Sequence, residues 1–292
     1  MDTFVSASVV SFEPAEVVVP HLERALGWFA EIERVCSRFD PTSELSRLCT
    51  HVGQPVEVST LLLQATRFAL ELARMTDGAF DPTIGRRLVE RGFDRNYRTQ
   101  ARLTPLPAAR GPVSYRDVCV DVESGSITLL EPLMLDLGAV AKGLAIDLAT
   151  RELHAFANVC VDGGGDVRVR GVNELGVPWR VGIRHPRDPE EMVRILEVSD
   201  GAVCTSGDYE RPGLVEGEHH LLDPRTGDSP GALASATVIA PTALVADGLS
   251  TAVFVLGPEA GQQLLERHGV SGLLVSHDLE IRAIDAPRKA RP

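Results

Sequence analysis

Short β-branched runs and amphipathic stretches alternate along the second half of the chain, and this alternation limits the fold more than any other sequence feature. The strand-like runs VCVDV, SITLL, VCVDGGGDVRVRG, RVGI, SATVIA and GLLVS are interleaved with helical segments at 139–157, 242–256 and 258–268. A strand repeats its apolar face every second residue and a helix every 3.6, so each must bury that face against another element. The expectation is an α+β fold or mixed α/β layers.

The first half extends the pattern. MDTFVSASVVSFE reads as an opening strand that ends near Pro14. From His21 to Phe39, the residues Leu22, Ala25, Leu26, Phe29, Ile32, Cys36 and Phe39 recur at helical steps. A second helix follows Ser59, an N-cap residue type, through Leu62, Ala65, Ala69, Leu72 and Ala73 to a stop at Gly78. Residues 95–116 are rich in Pro and Arg and lack periodicity, which reads as a solvated loop whose arginines could also touch an anion. Residues 1–285 are expected to form one large domain or two interlocked lobes, with 286–292 as a frayed tail.

A chain of 292 residues that is 44% hydrophobic can bury a substantial core. Its net charge of -12 argues against a nucleic-acid surface or an anionic membrane surface, so a bound phosphate would need local positive charge. Five scattered cysteines without a CxxC pair fit reduced thiols, and the first twenty residues carry acids and no long apolar run. These features point to the cytoplasm and to no membrane span, or to export if a leader has been removed.

Several motifs carry chemistry, each beside a structural alternative. LDLGAVAKGLAID (135–147) runs through Gly138 into a helix that carries Lys142 early; free N–H groups and an ammonium there suit a phosphate, and a strand-to-helix corner would read the same. VDGGGDVRVRG (161–171) permits close approach of a ligand to the main chain, or a hairpin turn. DGAFDPTIG (77–85) has the residue types of a side-chain-to-backbone turn. In CTSGDYER (204–211), Thr205, Ser206 and Gly207 offer hydroxyl and backbone donors for a phosphate or flavin edge rather than an activated serine. Asp247 and Thr251 lie four apart in VADGLSTAVF, so a carboxylate and a hydroxyl share one helix face; oxygen donors of this kind suit Mg²⁺, and a buried polar pair is the alternative. HHLLDPRTG (219–227) sets an imidazole three residues before a carboxylate, able to take a proton from an attacking hydroxyl.

Taken in order, MDT, SELSRL, DGAFDPTIG, LDLGAVAKGLAID, GGGD, TSGDYER, HHLLDPRTG and ADGLSTA resemble the FAD:protein FMN transferase family of the ApbE type, from Met1 to about Gly257. The resemblance implies two α+β lobes with FAD in the cleft between them and Mg²⁺ at the pyrophosphate. It implies flavin or adenosine contacts at Met1, Ala79, Phe80, Asp81, Asp136, Lys142 and the Thr205-Ser206-Gly207 turn. It implies a metal held by Asp247, Thr251 and the Ala139 carbonyl, and proton handling by His220 with Asp223 beside it. The chain departs from the family at Asp2, where Gly is common. The expected reaction attaches FMN to a Thr or Ser of an acceptor flavoprotein, such as a redox-complex subunit, with release of AMP. An FAD pyrophosphatase and a non-catalytic flavin carrier are the competing readings.

Overall fold

The computed structural model describes residues 3–96, 100–103, 109, 111–211, 213, 215 and 217–286. The elements run β1 (Val5–Val10), α1 (Ala15–Cys36), α2 (Glu44–Leu48), β2 (Pro55–Glu57), α3 (Thr60–Met75), α4 (Gly85–Glu90), β3 (Val118–Asp121), β4 (Ser126–Leu129) and α5 (Gly138–Glu152). They continue with β5 (Asn158–Gly163), β6 (Asp166–Arg170), β7 (Trp179–Arg184), β8 (Met192–Val198), β9 (Gly201–Gly207), β10 (Leu233–Ala240), α6 (Ala243–His268), β11 (Ser271–Ser276) and β12 (Ile281–Ile284). The expected α+β class is the one the chain adopts.

The main sheet has seven strands in the order β1-β5-β6-β9-β10-β11-β12, and every pairing is antiparallel. Side-chain alternation decides which face each residue serves. Val159, Val161, Ala202, Cys204, Ala236 and Val238 pack with α1, α5 and α6 in the larger core, while Val167, Val169 and Val203 point to the other face. There the two-stranded ribbon β7–β8 covers them with Val181 and Ile183. A three-stranded sheet, β2-β4-β3, joins the same larger core through Ile127 and Leu129, so the two sheet systems share one continuous apolar interior.

Several boundaries differ from the sequence expectation. Helix α1 starts at Ala15 rather than His21 and contains Pro20; its buried residues begin only at Ala25, so the first turns carry no apolar period to read. Ser59 caps α3 as expected, its hydroxyl accepting from the Leu62 N–H. The break between 256 and 258 is a kink inside α6, where Gly257 takes φ 80° just before Pro258. The glycine run of 163–165 is the turn of the β5–β6 hairpin, and Gly164 sits at φ 72° against the Thr3 side chain, which leaves no room for a Cβ. Residues Thr205–Gly207 form the end of strand β9, paired to β10, and not a turn; the unbroken register with Ser235–Thr237 is the reason.

Helix α6 is long and apolar enough to cross a membrane by length and composition, and most of it is buried against the main sheet and α5. Residues 287–292, most of the expected frayed tail, lie outside the described residues, as does Met1; Ala286 donates its N–H to the Ser271 hydroxyl at 3.0 Å.

Candidate functional site

The N-terminal end of α6 packs against the middle of α5, and Lys142, Asp247, Thr251 and Ser206 gather there. Asp147, two turns and a half into α5, accepts from Ala243 N–H at 2.8 Å and Leu244 N–H at 3.0 Å. A carboxylate at that position satisfies two of the orphan donors of α6 and faces its positive dipole end. Arg168 of β6 completes the joint with a 2.5 Å ion pair to Asp147. Closeness of the two helices also requires Gly143, since a Cβ there would lie 2.5 Å from the Ala243 carbonyl oxygen.

This junction brings Lys142, Asp166 and Asp247 together. The Lys142 ammonium pairs with Asp166 Oδ2 and lies 3.6 Å from Asp247 Oδ1. Asp247 Oδ2 accepts from the Gly143 N–H at 2.9 Å. Gly143 is four residues after Ala139, so this carboxylate competes for the N–H that a helix directs at the Ala139 carbonyl. Burial raises the Asp247 carboxyl above its ordinary value, against the lowering pull of Lys142 and the Gly143 N–H. Asp166 is held by the Thr205 N–H, which reaches its Oδ1 at 2.9 Å.

Thr251 lies one turn after Asp247 on α6, and its hydroxyl meets Ser206 Oγ at 3.0 Å; the same Ser206 oxygen is 2.8 Å from Ser250 Oγ. Thr205 pairs its hydroxyl with Thr237 at 2.8 Å, and Gly207 lies under the Tyr209 ring. The TSG residues therefore sit beside the candidate metal ligands, with their hydroxyls joined to the sheet and to α6. One carboxylate, one hydroxyl and one main-chain carbonyl make an all-oxygen donor set. Among the described residues, no group of three His, Cys, Asp or Glu side chains is placed to hold a metal ion. A hard cation that keeps waters and leans on substrate phosphates is the kind such a set can take. On these grounds the residues fit Mg²⁺.

A second cluster forms where α5 begins. Asp136 Oδ1 accepts from the Gly138 N–H at 2.7 Å, and its Oδ2 pairs with Arg38 Nε at 2.5 Å. Arg38 also donates to the Phe93 carbonyl at 2.9 Å, and the Phe93 ring stands edge-on to His220 with centroids 6.4 Å apart. Burial pushes the His220 imidazole down to about 3, helped by the positive charge of Arg211 and by His219 and opposed by Asp136. The ring is thus neutral at neutral pH, and its buried Nδ1 has no hydrogen-bond partner among the described residues.

No hydrogen bond joins Asp223 to His220 among the described residues. Its carboxylate holds the following turn, accepting from Arg225 N–H at 2.8 Å and pairing with Arg225 Nη2 at 2.7 Å. Burial would raise that carboxyl, but the Arg225 bonds outweigh it and leave it below its ordinary value. The segment that carries both residues is pinned to α4: Arg87 donates to the Pro224 carbonyl at 2.7 Å, and Arg91 pairs with Glu218 and Asp228 at 2.5 and 2.7 Å.

Asp81 is likewise committed to local structure. Its Oδ1 accepts from Thr83 N–H at 2.9 Å and its Oδ2 from Tyr115 N–H at 2.8 Å. The side chains of Ala79 and Phe80 are buried in the core, which leaves the main chain of this turn as the part able to meet a ligand. Three residues that matter in this geometry escaped the sequence reading: Asp166, Arg38 and Phe93. The first closes the quoted GGGD motif and carried a usable signal, while the other two become meaningful only through contacts over 50 residues away.

A model of the ApbE family matches residues 1–274. A Vibrio cholerae protein named FAD:protein FMN transferase is 32% identical over 254 residues, covering 84% of this chain and 76% of its own length. A Salmonella typhimurium protein of the same name is 34% identical over 237 residues, covering 77% of this chain and 68% of its own. Among solved structures, the ApbE protein from Thermotoga maritima aligns with a TM-score of 0.83 at 30% identity over 97% of each chain. The flavin transferase ApbE from Vibrio cholerae aligns with a TM-score of 0.82 at 28% identity, over 98% of this chain and 95% of its own.

Proposed function

The chain belongs to the ApbE family, and from that premise we propose that it is an FAD:protein FMN transferase, joining FMN through a phosphoester to a Thr or Ser of an acceptor flavoprotein and releasing AMP. The observation that carries the reading is the convergence of Lys142, Asp247, Ser206 and Thr251 at the meeting point of α5 and α6.

FAD is FMN joined to AMP by a pyrophosphate, so the reaction is a phosphoryl transfer whose main demand is charge neutralisation and alignment. Asp247, Thr251 and the Ala139 carbonyl would hold Mg²⁺, which when bound offsets the negative charge of the pyrophosphate. Lys142 supplies a second positive charge beside it. His220 accepts the proton of the acceptor hydroxyl as that oxygen bonds to the FMN phosphorus, with Asp136 favouring the charged ring, and the bond from that phosphorus to the AMP oxygen breaks. Asp223 acts at one remove, by holding the turn that follows His220. Flavin and adenosine contacts are assigned to Met1, the main chain of Ala79–Asp81, Asp136 and the Thr205–Gly207 strand end. A reducing compartment such as the cytoplasm belongs to the same proposal, supported by the buried thiols Cys36, Cys49 and Cys204, whose burial pushes them upward and keeps them protonated.

The test incubates the protein with FAD, Mg²⁺ and a membrane-redox subunit as acceptor, and follows AMP and flavin fluorescence that survives a denaturing gel. Fluorescence on the acceptor together with AMP supports transfer. AMP with an unlabelled acceptor would reassign the site to hydrolysis, and intact FAD would reduce it to flavin binding.

A further inference from the structure

The two carboxylates at the α5–α6 junction share a single ammonium. The Asp166 and Asp247 side chains are 3% and 6% exposed, and Lys142 pairs with the first while lying 3.6 Å from the second. Asp166 is itself fixed by the Thr205 N–H, so it holds the lysine in this place as part of the sheet. A divalent cation on Asp247 would add two positive charges within a few ångströms of that ammonium, in surroundings that screen charge weakly. A diphosphate arriving with the cation reverses the balance, because its negative charge attracts both.

We propose that Lys142, carried by Asp166, is a built-in competitor for the cation site, which makes tight divalent-ion binding conditional on the diphosphate of the substrate. This rests on the reading of Asp247 and Thr251 as cation ligands. The consequence is ordered chemistry: the free protein holds the ion weakly, and the ion and the nucleotide bind with strong mutual preference. Linkage requires the same factor in both directions, so the ion tightens nucleotide binding as much as the nucleotide tightens the ion.

The test titrates Mn²⁺ into the full chain and reads free ion by electron paramagnetic resonance, with and without ADP as a diphosphate that lacks flavin. Beyond the Mn²⁺ that ADP takes up by itself in protein-free solution, ADP is expected to tighten Mn²⁺ binding to the wild type by tenfold or more. Lys142→Met is expected to bind Mn²⁺ at least tenfold tighter than the wild type without nucleotide, and to respond less to ADP. Because that variant leaves two buried carboxylates without their cation and can fail to fold, Lys142→Met/Asp166→Asn is measured beside it. The double variant keeps the wild-type net charge while removing the ammonium, and is expected to bind Mn²⁺ at least threefold tighter than the wild type without nucleotide. Folded variants that bind Mn²⁺ no tighter than the wild type overturn the inference while leaving the metal site standing. Wild-type protein that takes up no Mn²⁺ even with FAD, or an Asp247→Ala variant with unchanged uptake, overturns the metal site and the inference together.

Discussion

The Gly143 N–H donates to Asp247 Oδ2 at 2.9 Å, tying one turn of α5 to one turn of α6 across the candidate site. The contact depends on a missing side chain, since a Cβ on Gly143 would meet the Ala243 carbonyl oxygen at 2.5 Å and the Leu244 Cα at 2.8 Å. Those obstacles are backbone atoms, which cannot rotate aside. Gly143→Ala gains about 1 kcal/mol of helix propensity and meets an overpacking cost of about 1–3 kcal/mol or more. The clash is expected to win, giving a net loss of about 1–2 kcal/mol in urea unfolding and weaker cation binding. Unchanged stability would show that the helices part at no cost.

Asp147 holds the first turn of α6 through two N–H groups and faces Arg168. Asp147→Asn removes the charge and one acceptor while keeping the shape. A loss of about 1–2 kcal/mol is expected, from the cap and its interaction with the helix dipole. A shift in the urea midpoint at constant slope measures it; a midpoint equal to the wild type would mean that the cap contributes nothing.

Arg91 bridges Glu218 and Asp228, which flank the segment carrying His220. Arg91 is partly exposed, so Arg91→Ala should change stability little. Its expected effect is on positioning: transfer slows several-fold, FAD affinity changes less, and Arg91→Lys recovers part of the rate. Equal loss of rate and of FAD binding would contradict a positioning role.

His220 has its imidazole pushed down to about 3 by burial, while an unfolded chain leaves it near its ordinary 6.5. Between those values the unfolded state binds the extra proton, so stability is fully present above about pH 6.5 and falls as the pH drops toward 3. His220→Asn cannot take that proton. Denaturation curves at pH 7.5 and 4.5 should therefore show a smaller acid loss in the variant than in the wild type, and equal losses would place the His220 ring in a wetter setting.

Local patterns carried much of the outline. Ser59 announced the start of α3, the gap between the helical segments 242–256 and 258–268 fell at the Gly257 kink of α6, and the spacing of Asp247 and Thr251 placed both on one helical turn. Boundaries were lost where a segment lacks a buried face, as in the first turns of α1, and where strand pairing overrode turn-forming residue types, as at Thr205–Gly207. The pairing of His220 with Asp223 was suggested by proximity in the chain, and the structure gives Asp223 to Arg225 instead.

By itself the sequence determined the mixture of helices and strands, the eight motifs and the residue types that can hold an oxygen-loving cation, because these depend on periodicity and spacing within a few residues. Only the tertiary structure decided that Asp166 holds Lys142 near Asp247, that Asp147 caps a helix 96 residues further along, and that Arg38 and Phe93 surround His220 and Asp136. The physical reason is that charge and hydrogen-bond partners act over a few ångströms of space, and the folding of the sheet, not distance along the chain, sets which groups come within that reach.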